Sequence, residues 1–363
     1  MNAFYFVTDE AFAYVANAHA QWLRTLWPDC DVHIFIERRD ALKSIMEIQD
    51  ERIIYHYEEL SPFLPTGLPH SKYWPTIVFL RMFAPRLLQQ YHRLCYIDSD
   101  ILCMYRDDVL WNIDLPSGIG MVADYATIYR APANLGEMPR DEWLASINVR
   151  SGRYANSGML LIDPKIFSTY HFEDTLAGYF KEFPAADRFD QDFLNFYFDG
   201  VWTEIGPRFN YQAGIMEFGY ERIIDPVFMH FCRPVKPWYG KEHKWRAATD
   251  PRFYGFYRTI LENGGYDIRD YAREFPLPFI RRIRYSLRAW LSCHGYPSRR
   301  ELRERAKWSR RAALLHEYVN NGLRDGRFAD ERTRVSIAET TIIPIFDGRF
   351  LRPASDGNRE PGK

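Results

Sequence analysis

The sequence predicts an α/β fold with a mostly parallel central sheet, on three observations. Short apolar runs alternate with segments of helical period through the first two-thirds of the chain. Polar residues collect just after the ends of those runs, where ligands bind in such sheets. And 47% hydrophobic and 17% aromatic residues over 363 positions are enough for one large core and too many for a disordered chain.

Ala3 to Val7 is a short apolar run stopped by Thr8, Asp9 and Glu10. Phe12, Val15, His19, Trp22 and Leu26 then recur at helical spacing. Val32 to Ile36 and Ile53 to Tyr57 read as buried strands. Pro75 suits the first turn of a helix running toward Tyr91, with Pro85 kinking or interrupting it. Leu94 to Ile97 is a strand that delivers Asp98, Ser99 and Asp100 at its carboxyl end, and Ile119 to Ala123 likewise ends on Asp124. Met159 to Ile162 follows a small-residue turn at Asn156, Ser157 and Gly158, Phe193 to Phe198 reads as helix, and Val227 to Phe231 reads as a late strand. Composition turns basic and Pro-rich near Phe275, which places a catalytic domain at 1–260 and a basic helical region at 261–363, the latter ending in a polar, fraying tail from Pro353.

The net charge of −1 points to no partner, but its distribution does: Arg281 to Arg311 carries ten Arg and one Lys against Glu301 and Glu304. Five scattered cysteines without metal-finger spacing read as reduced thiols of a cytosolic protein. The N-terminus lacks the pattern of a signal peptide, and no uncharged apolar stretch is long enough to span a bilayer.

Four clusters carry chemistry. Asp98 and Asp100 at i and i+2 after a buried strand can converge on one hard cation, Mg²⁺ or Mn²⁺; the structural alternative is a turn capped by Asp. His230 at a later strand end is a candidate third ligand and Lys236 a phosphate contact, against a core histidine followed by a proline-stiffened loop. Asp190, Gln191 and Asp192 precede an amphipathic helix and suit either an N-cap or a set of donor-sugar contacts with Gln191 at the anomeric face. The turn at Asn156, Ser157 and Gly158 lets backbone approach a ligand closely, or is an ordinary tight turn.

In order and spacing, these clusters from about Ala3 to Trp238 resemble glycosyltransferase family 8, the retaining galactosyl- and glucosyltransferases, in particular its bacterial lipopolysaccharide members. The resemblance implies a Rossmann-like GT-A fold and a site assigned residue by residue. Val7, Thr8 and Asp9 would line the nucleoside pocket, with Asp9 near the uracil, and Arg81 in Phe-Leu-Arg-Met-Phe would lie near the donor. Asp98 and Asp100 match the D-x-D pair, with Ser99 between them counted among the donor contacts, and Asp124 would hold sugar hydroxyls. Asn156, Ser157 and Gly158 match the N-[AS]-G turn, and Asp190, Gln191 and Asp192 the D-Q-D stretch that carries the catalytic candidates. His230, Lys236, Pro237 and Trp238 match the ending H-[FY]-x-G-x-x-K-P-W. Two positions depart: Arg233 stands where the family usually has Gly, and would either add a guanidinium to the phosphates or alter the pocket, and Ala11 stands where family members often carry Asn.

The expected function is therefore retaining transfer of galactose or glucose from a UDP-sugar to a glycan or lipid-linked, lipopolysaccharide-type acceptor, with Mn²⁺ or Mg²⁺ bound. Phe279, Ile280, Ile283, Leu287, Trp290 and Leu291 cluster on one side of a helix interspersed with Arg281, Arg282, Arg284 and Arg288. That pattern suits equally an interfacial helix on anionic lipid and a helix packed on the catalytic domain with a solvated basic face; the resemblance to lipopolysaccharide glycosyltransferases implies the membrane, met through residues 279–311 at a peripheral position on the inner face of the cytoplasmic membrane. No nucleic-acid-binding signature accompanies the arginines. Two alternatives are a nucleotidyltransferase acting on sugar phosphates, disfavoured because Phe6 to Phe12 contains no Gly, and a non-catalytic module that binds sugar nucleotides.

Overall fold

The computed structural model describes residues 1–37, 47–71, 75–128, 138–216, 224–232, 236–239, 251–271, 279–296 and 298–331. Its centre is a seven-stranded sheet in the order β3-β2-β1-β4-β7-β6-β8. The strands are β1 (Asn2–Thr8), β2 (Asp31–Ile36), β3 (Ile53–Tyr57), β4 (Arg93–Ile97), β6 (Ile119–Ala123), β7 (Ala155–Ile162) and β8 (Thr203–Ile205). All neighbouring pairs run parallel except those that β7 makes with β4 and β6. A second, three-stranded sheet is ordered β5 (Ile101–Cys103), β10 (Phe228–His230), β9 (Tyr211–Gln212).

Burial on both faces explains the near-continuous apolar strands. β2 is buried at all six positions and β6 at all five. One face packs on the Glu10–Leu26 and Pro251–Asn263 helices and the second sheet, around Phe4, Trp27, Trp111, Trp238 and Tyr257. The other packs on the 173–182 and 190–197 helices and the 76–87 segment, around Tyr5, Tyr96, Phe167 and Phe193. Asp9 caps the first helix by accepting from Phe12 N at 3.2 Å.

Two expected elements take another form. The segment after Pro75 is not one kinked α-helix but two 3₁₀ turns, Thr76–Met82 and Ala84–Leu87. Pro85 lacks the N–H of a continuous helix and its ring would strike the Arg81 carbonyl, so the chain uses i→i+3 bonds such as Phe83 N to Leu80 O at 3.0 Å. Asn156, Ser157 and Gly158 form no turn: they lie within β7, opposite an irregularity between Met121 and Val122 of β6.

The end of the Arg299–Arg324 helix belongs to the core. Leu315, Val319 and Phe328 are buried in the same cluster as Phe4 and Trp238. Tyr318 donates its hydroxyl hydrogen to Glu204 on β8 at 2.6 Å, and Asp330 accepts from Gly206 N at 2.6 Å. The Phe279–Cys293 helix contrasts with it: Phe279, Ile280, Ile283, Leu287 and Trp290 are 52–79% exposed. Among the described residues no helix is long and apolar enough to cross a membrane.

Candidate active site

The site forms where the two sheets meet. β4 ends at Ile97 and β5 begins at Ile101, so Asp98, Ser99 and Asp100 bridge one sheet to the other. The bridge is held by Asp98 N to Gly158 O at 2.8 Å and Ile101 N to Asp98 O at 2.9 Å. β10 pairs antiparallel with β5, setting His230 opposite Ile101, and Phe231 N bonds to Asp100 O at 3.0 Å. This pairing brings the distant histidine to the Asp pair. Asp98, Asp100 and His230 each offer a ligand atom within 4.8 Å of the others.

These atoms fit a divalent cation. His230 Nε2 lies 3.3 Å from Asp100 Oδ1 and 3.8 Å from Asp98 Oδ2, and its Nδ1 is bonded to Asn210 Oδ1 at 2.9 Å. With Nδ1 donating, Nε2 directs a lone pair at two carboxylates, an arrangement that a shared cation relieves. Lys236 Nζ reaches Asp100 Oδ2 at 2.5 Å and the Phe231 carbonyl at 2.9 Å. Burial pushes the Asp100 carboxyl up, but the Lys236 ammonium outweighs it and holds the carboxyl well below the usual carboxylate range. Burial likewise disfavours the Lys236 ammonium, and Asp100 outweighs that to raise its pKa. Gly158 has no room for a side chain: a Cβ there would lie 2.3 Å from His230 Cε1 and 2.9 Å from Asp98 Oδ2.

Behind the ligands, Arg81 is buried between Asp98 at 3.1 Å and Asp190 at 3.4 Å, and donates to the Ser157 carbonyl at 3.0 Å. Tyr96 lies under its guanidinium at 4.5 Å and donates to Asp98. Asp190 opens the 190–197 helix after Phe189, whose φ of +47° is in the left-handed region that a bulky residue normally avoids. The Gln191 amide is saturated: Oε1 accepts from Asn156 Nδ2 at 3.1 Å and Ser157 N at 3.2 Å, and Nε2 donates to Asp124 at 2.9 Å and Tyr154 at 3.1 Å. Asp192 faces Tyr154 and Arg188 N. Asp124 caps the Tyr125–Ile128 helix through Ala126 N at 3.0 Å and meets Arg188 at 3.4 Å.

Arg81, Asp98, Asp100, Asp124, Asn156, Ser157, Asp190, Gln191, Asp192, His230 and Lys236 thus converge on one region at the ends of β4, β6, β7 and β10. Val7, Thr8 and Asp9 sit at the carboxyl end of β1, the parallel neighbour of β4. Ser99 is half-buried in the bridging turn, and Arg233 lies outside the described residues. Sequence reasoning missed Asn210, Tyr96 and Arg188. Asn210 stands alone between a 3₁₀ turn and a two-residue strand, with no local signal; Tyr96 and Arg188 flank the motifs that were read.

The family model of Glycosyl transferase family 8 matches residues 18–242, and the chain belongs to that family. It is 28% identical over 188 residues to general stress protein A of Bacillus subtilis (strain 168), covering 46% of this chain and 61% of that protein. It is 26% identical over 189 residues to the lipopolysaccharide glucosyltransferase WaaO of Escherichia coli (strain K12), covering 49% and 52%. Galactinol synthase 1 of Solanum lycopersicum is 27% identical over 194 residues, covering 51% and 58%. The chain thus spans about half to three-fifths of these relatives' lengths. Among solved structures, an active-site mutant of LgtC aligns with a TM-score of 0.57 at 18% identity, covering 78% of this chain and 99% of that one. The galactosyltransferase LgtC with donor and acceptor sugar analogs gives 0.54 at 18% identity, covering 78% and 99%. The fold is therefore the GT-A fold of these glycosyltransferases.

Two outcomes follow from this geometry. If Asp98, Asp100 and His230 hold a divalent cation, Gly158→Ala should lower the affinity for it by about 10–100-fold, the range for a disturbed ligand shell, while circular dichroism shows the fold retained; calorimetric titration reads the affinity. Burial pushes both Asp190 and Asp192 up to about 6, against about 3.9 for an unfolded Asp. Between about pH 4 and 6 the folded chain therefore holds protons that the unfolded chain has lost, and the contribution of these two groups to stability falls as pH rises through that window. Urea unfolding across the window shows a shallower decline in Asp192→Asn than in the wild type.

Proposed function

We propose that this chain transfers a hexosyl group, galactose or glucose, from a UDP-sugar to a glycan or lipid-linked saccharide with retention of configuration, in a divalent-metal-dependent reaction. The observation that carries this reading is the convergence of Asp98, Asp100 and His230 beside Lys236 in a chain of this family. WaaO, a lipopolysaccharide glucosyltransferase by name, supports a hexose donor and a lipopolysaccharide-type acceptor.

Bound Mn²⁺ or Mg²⁺, held by Asp98, Asp100 and His230, would supply Lewis-acid neutralisation of charge on a departing diphosphate. Lys236, now paired with Asp100, would add a point charge to the same phosphates on exchanging that contact. Arg81 holds Asp98 and Asp190 in register. A double displacement needs a carboxylate nucleophile facing the anomeric carbon. Gln191 is an amide with both ends occupied, Asp192 is turned into Tyr154, and Asp190 is paired with Arg81. This favours front-face return, in which the leaving phosphate oxygen takes the acceptor proton and the protein positions and stabilises. Residues 1–260 would carry this chemistry and residues 261–363 the helical region.

UDP release from UDP-galactose and UDP-glucose, followed with and without Mn²⁺, tests the proposal. The expected result is metal-dependent turnover that Asp100→Asn lowers at least about 100-fold, as loss of a ligand to the Lewis acid should. Nucleotide binding without metal-dependent turnover would instead favour a binding module, and a glycosyl adduct trapped on Asp190 or Asp192 would overturn the front-face route.

The second partner is an anionic membrane surface on the cytoplasmic side, met through residues 279–311. The exposed row Phe279, Ile280, Ile283, Leu287 and Trp290, with Arg284 and Arg288 also exposed, supports this reading over packing on the catalytic domain. In co-sedimentation the chain should bind phosphatidylglycerol vesicles and spare phosphatidylcholine ones, and Arg284→Glu with Arg288→Glu should weaken that binding. Equal binding to both lipids, or to neither, defeats it.

A further inference from the structure

A single directed line of hydrogen bonds joins the Asp124 carboxylate to the metal-facing histidine. His230 Nδ1 meets Asn210 Oδ1 at 2.9 Å, Asn210 Nδ2 donates to Asn156 Oδ1 at 2.9 Å, Asn156 Nδ2 donates to Gln191 Oε1 at 3.1 Å, and Gln191 Nε2 donates to Asp124 Oδ2 at 2.9 Å. His230, Asn210, Gln191 and Asp124 are all buried.

The direction of this line is determined by groups that cannot reverse. A carboxylate only accepts, so Gln191 must turn its NH₂ toward Asp124. Backbone N–H groups only donate: Ser157 N points at Gln191 Oε1 at 3.2 Å and Gly158 N at Asn156 Oδ1 at 3.1 Å, so each of these amides is oriented from two sides. Asp124 itself is tied down at Oδ1 by Ala126 N and Thr127 N at 3.0 and 3.3 Å. Reversing the line would set N–H against N–H at Ser157 and Gly158, and an amide oxygen against a carboxylate at Asp124. Asn210 must therefore offer its oxygen to His230, and Nδ1 must carry the hydrogen.

We propose that Asp124, Gln191, Asn156 and Asn210 act together as positioning residues that hold His230 in the Nδ1–H tautomer, with the bare Nε2 presented to the metal. The inference rests on the reading of Asp98, Asp100 and His230 as a metal site. It assigns Asp124 and Gln191 a role beyond sugar contact: they prepare a ligand whose ring lies at the far end of the line. Metal-bound histidines generally need such a partner on the second ring nitrogen. In this chain the partner is a neutral amide, and its polarity is set by the Gly158 and Ser157 N–H groups together with a carboxylate three amides away.

The test reads Mn²⁺ affinity without nucleotide, by calorimetry on the full chain. Gln191→Glu keeps an acceptor for Asn156 and Ser157 and should retain the wild-type affinity or exceed it. Gln191→Met removes that acceptor, leaves Gly158 N as the one remaining group that orients Asn156, and by loosening the line to Asn210 should lower the affinity about tenfold, the lower end of outer-shell effects. A role in sugar contact alone leaves both variants at the wild-type value, and that result overturns the proposal. Should Gln191→Met fail to fold, the ring ¹⁵N shifts of His230 in metal-free wild-type protein at pH 9 decide, with the signal assigned by its loss in His230→Gln. Protonated Nδ1 and bare Nε2 are expected, and hydrogen on Nε2 overturns the relay. A wild-type chain that binds no Mn²⁺ instead sinks the metal reading, and the ring shifts then still decide the relay by themselves.

Discussion

The pairing of β10 with β5 is the constraint on which the site depends. Three residues of antiparallel ladder place His230 beside the turn that carries Asp98 and Asp100. Two carboxylates after a strand are an unremarkable turn until a third donor atom arrives, because a divalent cation needs several convergent ligands to displace its water. The second sheet supplies that donor and leaves no slack. Gly158 on the neighbouring strand is in contact with the ring, and the Phe231 amide is bonded to the Asp100 carbonyl.

Charge organises the rest of the site. Asp98, Asp100 and Asp190 crowd a buried region, and two cations serve them: Arg81 between Asp98 and Asp190, and Lys236 on Asp100. The consequence differs by residue. Asp100 is held ionised, as a ligand must be, while burial wins at Asp190 despite Arg81 and lifts its pKa to about 6. Neutral amides fill the space between carboxylates. Gln191, Asn156 and Asn210 carry hydrogen-bond direction across the region without adding charge, which a low-dielectric interior would penalise. The left-handed Phe189 fits the same economy, since a strained turn opens the helix so that Asp190 and Gln191 lie on opposite arms of the network.

The C-terminal region divides by contact rather than by composition. The end of the Arg299–Arg324 helix and the residues just after it are bound into the core through Leu315, Val319, Phe328 and the Tyr318–Glu204 bond, although that helix is more polar than the preceding one. The Phe279–Cys293 helix keeps its apolar side exposed. One segment is therefore part of the folded unit, and the other presents a surface.

The sequence by itself determined the α/β alternation, most strand positions and the identity of the charged groups, because apolar periodicity and paired carboxylates are local features. Asp98, Asp100, His230, Lys236 and the Asp190–Asp192 stretch were legible because each sits in a short motif whose order resembles a family. Tertiary structure decided what those residues do to one another. The 3₁₀ turns after Pro75, the placement of Asn156 to Gly158 inside β7, and the buried position of Arg81 between two carboxylates all depend on contacts distant in sequence. Asn210 is the clearest case: a lone polar residue with no pattern around it, it acquires meaning only because β9 and β10 pair beside β7. Hydrogen-bond direction belongs to the same category. An amide is symmetric in sequence terms, and only a neighbour that cannot reverse its role, such as the Asp124 carboxylate at the end of β6 or the Gly158 N–H, determines which way it must face.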